Sequence, residues 1–106
     1  MNRLRLRPAR GYWARLCGLH ACGPPDPDTG LWLSPCNAVH TLGLAYAIDV
    51  VFLDRSHRII KKVEALAPNG FAFCPRAASV VELPAGYCAA HGAHAALIRR
   101  AVRRLA

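Results

Sequence analysis

Asp49 stands in the run Tyr46-Ala47-Ile48-Asp49-Val50-Val51-Phe52-Leu53, where it is the one charged side chain. A carboxylate in such surroundings must be hydrogen-bonded or paired, because burying an isolated charge is strongly unfavourable. Two readings follow. In the first, Asp49 accepts backbone N–H groups or the Thr41 hydroxyl and pins a turn. In the second, Asp49 and His40 line a groove, and the carboxylate orients the imidazole for ligand binding or for acid/base chemistry. The fastening reading is the expectation here, with His40, Thr41, Asp49 and Cys36 as the candidate ligand-binding residues should a groove be present.

Other chemistry has less support. Cys36 and His40 are four apart, a spacing that aligns two side chains only on a helix, and Pro35 and the β-like run that follows argue against one. Nothing else supplies an oxyanion site, so thiol hydrolysis is not expected. Cys17, His20 and Cys22, or His91 and His94, are possible metal ligands, but no tight Cys-x-x-Cys pair accompanies them and no metal site is expected. No glycine-rich phosphate loop follows a strand, and no cofactor is expected. Five cysteines, an odd number without regular spacing, read as free thiols rather than a secreted disulfide framework.

The elements that must hold these residues are mostly strands. Arg3-Leu4-Arg5-Leu6-Arg7 alternates strictly and suits an edge strand with its leucines inward. Tyr12, Leu16 and Leu19 have helical spacing, which predicts a short helix over about 9–19. The three prolines, two glycines and two aspartates of 23–30 mark a loop, and Leu31-Trp32-Leu33 a brief strand. His40 to Asp54 reads as the central buried strand, covered on both faces. Asp54-Arg55-Ser56-His57 then turns into a second, more polar arm from Arg58 to Leu66. Phe71 and Phe73 suggest a packed loop or short strand, and Ser79-Val80-Val81-Glu82-Leu83 a further strand. At the carboxy end Leu97, Ile98, Ala101, Val102 and Leu105 form an apolar stripe opposite Arg99, Arg100, Arg103 and Arg104, which predicts a basic helix.

A chain of 106 residues, 54% hydrophobic and 19% charged, is rich enough in core material to exclude disorder and short enough for one domain, 1–106. Its net charge of +8 resides at the ends. Residues 1–15 carry five arginines and 99–106 carry four, while the stretch between holds five cations against six carboxylates. Such basic termini can meet nucleic acid, anionic lipid or an acidic partner, or serve as solvated tails. No run approaches the ~20 apolar residues that span a bilayer. Arginines from Arg3 to Arg15 also interrupt any leader-like apolar core, so a soluble cytoplasmic protein is expected.

The run from Val39 through Ile48-Asp49-Val50-Val51-Phe52-Leu53-Asp54, followed by Val80-Val81-Glu82-Leu83-Pro84-Ala85-Gly86, resembles the bacterial and archaeal family known as domain of unknown function 192. Gly18-Leu19 matches a Gly-Leu-Met element of that family, with His20 in the methionine position. The resemblance covers about 14–92 and implies a compact, mainly β (α+β) fold, a small barrel or sandwich with short helices. It implies little about activity, because the family is itself uncharacterised. The family usually ends in a Gly-Asp pair leading to a last strand, where this chain has Gly92-Ala93-His94 and the basic stretch. The expectation is therefore a small accessory or binding domain with a groove near His40 and Asp49, taking a protein or small-molecule partner. The alternatives are an enzyme using those two residues as an acid/base pair, and binding of nucleic acid or an acidic partner through the basic termini.

Overall fold

The computed structural model describes residues 3–9 and 26–106. Of the helix expected over about 9–19, Ala9 is the last residue of a strand and the rest lies outside the described residues, as do Cys17, His20 and Cys22. Seven strands are described: β1 (Arg5–Ala9), β2 (Thr29–Leu33), β3 (Ala38–His40), β4 (Ile48–Leu53), β5 (Ile59–Leu66), β6 (Phe71–Phe73) and β7 (Ser79–Pro84). Two helices follow, α1 (Tyr87–Ala90) and α2 (His94–Leu105).

Five strands form one sheet in the order β1-β2-β7-β4-β5, and β3 and β6 pair as a separate antiparallel ribbon. All pairings in the large sheet are antiparallel except β1 with β2. Among the described residues the sheet does not close into a barrel, and β1 and β5 are its two edges. Alternation explains the layering. On β4, Val51 and Leu53 point into a core shared with Leu4, Leu6, Val81, Leu83, Tyr87, Cys88, Leu97, Ile98, Ala101 and Val102. Ile48, Val50 and Phe52 point the other way, into a core with Leu31, Leu33, Val39, Leu44, Ala72 and Val80. The helices therefore cover one face of the sheet and the ribbon covers the other.

The central strand is shorter than its apolar run. β3 ends at His40, Thr41 to Ala47 form an irregular connection, and β4 begins at Ile48, after which all six residues are buried. Gly43, with φ 83°, allows that connection to turn back. The polar arm β5 has mostly exposed residues, as its composition predicts, and forms the hairpin with β4. The carboxy-terminal segment is helical, α2 laying its apolar stripe on the sheet with Ile98 and Val102 fully buried. Phe71 and Phe73 belong to a strand but point outward, and Ala72 between them points into the core.

Candidate functional site

Asp49 is fully buried and faces the helices. Its Oδ1 accepts the N–H of Ala65 at 2.9 Å and of Gly86 at 3.1 Å, and its Oδ2 accepts the N–H of Cys88 at 3.0 Å. Each donor is one that the local structure leaves over. Between the pairs Ile48↔Leu66 and Val50↔Val63, β5 has two residues where β4 has only Asp49, so β5 bulges and Ala65 adopts φ 53°. Gly86, with φ 87°, precedes α1 and has no side chain with which to cap it. Asp49 supplies that cap from the neighbouring strand. Three backbone donors on a buried carboxylate satisfy it without a cation.

Beside it, the Cys88 thiol is pushed up from an ordinary 9.0 to about 12, first by burial and then by the Asp49 charge. It is an inert buried thiol at neutral pH.

Thr41 is also fully buried but serves a different turn. Its hydroxyl donates to the Ala67 carbonyl at 2.6 Å and accepts the Gly70 N–H at 2.7 Å, while its own N–H donates to the Gly70 carbonyl at 3.0 Å. The Asn69 N–H completes the clamp on the Thr41 carbonyl at 3.0 Å. The β5–β6 turn is thus held to the end of β3.

His40 stands on the outer face of the ribbon, opposite Phe71, and its Nδ1 accepts the Leu42 N–H at 3.3 Å. The ribbon covers the sheet face to which Ile48, Val50 and Phe52 point, whereas Asp49 bonds to residues on the helix side. The five-stranded sheet therefore lies between the two side chains that the sequence suggested as partners, and no hydrogen bond joins them. Cys36 is placed apart from both. It lies at the opposite end of β3 from His40, half-buried, with its thiol donating to the Ala38 carbonyl at 3.1 Å.

Around His40 the surface is apolar. Phe71 is 67% exposed, Phe73 46% and Leu42 58%. His40 and Ala38 pair across the ribbon with Phe71 and Phe73, so all four share one outward face. Lys61 borders it, its ammonium donating to the Phe73 carbonyl at 2.9 Å.

The four arginines of α2 differ in environment. Arg99 is half-buried, Arg104 donates to the Leu4 carbonyl at 2.8 Å, and Arg100 and Arg103 face solvent. His91 and His94 are both engaged locally. The His91 ring stacks on Tyr87 at 4.0 Å, and His94 Nδ1 lies 2.7 Å from the His91 carbonyl oxygen with Nε2 3.2 Å from the Lys62 ammonium. Among the described residues no group of three or more His, Cys, Asp or Glu side chains is arranged to hold a metal ion.

The sequence reading passed over three residues. Glu82 is a second buried carboxylate, on β7, close enough to Tyr46 to help raise its hydroxyl pKa after the larger effect of burial. Its setting in Val80-Val81-Glu82-Leu83 carries the same signal that singled out Asp49. Arg55 and Arg76 sit in turns and become neighbours only through the fold.

The family profile of domain of unknown function 192 (DUF192), described as "Uncharacterized ACR", matches residues 1–96, and the chain belongs to this family. No curated protein matches the chain significantly. Two crystal structures share its fold. One is a protein of unknown function from Novosphingobium aromaticivorans DSM 12444, with TM-score 0.72 and 17% identity over 84% of this chain and 69% of that one. The other, from Sinorhizobium meliloti 1021, is described as a putative transcription regulator, with TM-score 0.73 and 21% identity over 84% of this chain and 74% of that one.

Proposed function

We propose that this member of the family acts by binding rather than by acid/base catalysis, and that it meets a protein partner through the outer face of the β3–β6 ribbon. The observation that carries this reading is the outward pair Phe71 and Phe73 on one face with His40, with Leu42 exposed in the turn that follows, all large apolar side chains left in water. Single exposed apolar residues are ordinary, but contiguous ones mark interaction surfaces. Aromatic side chains supply much of the energy at such surfaces, and Lys61 at the border adds a cation for an acidic flank of the partner.

The catalytic reading has less support because Asp49 already accepts three N–H groups on the far side of the sheet from His40. As fasteners, Asp49 and Thr41 hold the elements that carry the binding face.

An NMR experiment tests both parts. With 2-propanol as an apolar probe, the amide shifts concentrate at His40, Leu42, Phe71 and Phe73, and F71S/F73S removes them while the domain stays folded. Shifts spread evenly over the surface overturn the binding face. His40→Ala leaves the amide resonances of Ala65, Gly86 and Cys88 in place. Movement of all three would reinstate a coupled His40–Asp49 pair.

A further inference from the structure

Three turns meet at one end of the molecule and border an open cleft of about 550 Å³ lined by Pro35, Cys36, Asn37, Arg55, Arg76 and their neighbours. They come from the β2–β3, β4–β5 and β6–β7 connections, and backbone hydrogen bonds tie them to one another. The Cys36 N–H donates to the Ala78 carbonyl at 3.1 Å, the Cys74 N–H to Asn37 at 2.9 Å and the Ala78 N–H to Leu53 at 2.8 Å. The cleft is therefore preformed rather than a gap between loose loops, and its volume lies in the range that small-molecule sites occupy.

Its charge is one-sided. No carboxylate of the described residues lines it, and no described residue hydrogen-bonds or ion-pairs with the guanidinium of Arg55 or of Arg76. The nearest acid in sequence, Asp54, is already occupied by the N–H groups of Ser56 at 2.8 Å and Arg58 at 2.9 Å and by the Arg58 guanidinium at 3.3 Å. Arginine is suited to oxyanions because its planar fork of donors matches a carboxylate or phosphate in two-point contact. Asn37 adds an amide, while Pro35, Pro75, Ala77 and Ala78 offer an apolar wall.

We propose that this cleft is a binding site for a small organic anion, its carboxylate or phosphate head held by Arg55 and Arg76 and its apolar body lying against the prolines and alanines. The site is separate from the ribbon face and stands or falls independently of it.

The test is a ¹⁵N NMR titration of the full chain with inorganic phosphate and with succinate, each against sodium chloride at matched ionic strength. Either anion, or both, shifts the amides of Asn37, Arg55, Arg76 and Ala77 saturably, and chloride does not. The two arms distinguish a phosphate from a carboxylate head. Arg55→Gln and Arg76→Gln each weaken binding at least tenfold, and both leave the rest of the spectrum native because they alter exposed turn positions. Arg103→Gln, on the solvent side of α2, changes nothing. Non-saturating shifts with both anions overturn the proposal. So do shifts that follow Arg103 as much as Arg55 and Arg76, or affinities unchanged in the two cleft variants.

Discussion

Asp49 and Thr41 are buried polar residues whose hydrogen bonds are made almost wholly to backbone. Thr41→Val keeps the shape and removes the hydroxyl, leaving the Gly70 N–H and the Ala67 carbonyl unpaired. A loss of about 1–3 kcal/mol in urea denaturation is expected. Ala65, in contrast, carries a side chain at a φ of 53° that glycine tolerates better. Ala65→Gly should raise stability by up to about 1 kcal/mol, the reverse of the usual cost of glycine in a strand.

Cys88 gives a pH dependence whose sign follows from its raised pKa. Below about 9 the thiol is protonated whether the chain is folded or not. Between about 9 and about 12 only the unfolded chain releases the proton, so the contribution to stability is lost as pH rises through that window. The urea midpoint of the wild type should therefore fall more steeply from pH 8 to pH 10.5 than that of Cys88→Ala. Asp49 was legible in the sequence because a lone carboxylate in an apolar run demands a partner. The identity of its partners was not, because an unpaired N–H exists only once β5 bulges and α1 begins with a bare glycine.

The elements were legible where periodicity was strong. The alternation of Arg3 to Arg7, the apolar run of β4, the hairpin arm β5 and the apolar stripe of α2 all correspond to described structure. His40 and Asp49 were expected on one strand, and the connection from Thr41 to Ala47 breaks that continuity. Continuous apolar content cannot reveal such a break, since Leu44 is buried in the connection as fully as a strand residue would be. The outward face of β6 was equally hidden, because two aromatics flanking an alanine suggest core until the register places Ala72 inward. Gly30 shows how tightly the elements are set. A Cβ there would lie 2.5 Å from the Glu82 carbonyl oxygen and 2.8 Å from Leu83 Cδ2. Gly30→Ala should force β2 away from β7 and cost roughly 1–3 kcal/mol, read as a lowered urea midpoint with the far-ultraviolet circular dichroism retained.

At the scale of the whole molecule, the fold is a sheet with helices on one face and a ribbon on the other, and this layering separates the functions proposed for it. The helix face contains Asp49 and closes the core. The ribbon face exposes Phe71, Phe73 and Leu42, and the turns at one end expose Arg55 and Arg76. The excess of arginine at the ends is partly structural, since Arg104 ties α2 to the chain at Leu4. None of the described helices is long and apolar enough to cross a membrane. The central claim is that Asp49 fastens this arrangement by holding three elements at once. Native-state hydrogen exchange of Ala65, Gly86 and Cys88 in the wild type and in Asp49→Ala tests it most directly. The account predicts that the three amides are protected together in the wild type, and that in the variant they lose protection together by a hundredfold or more as the urea midpoint falls. Undiminished protection of the three amides in Asp49→Ala, with an unchanged midpoint, would contradict it.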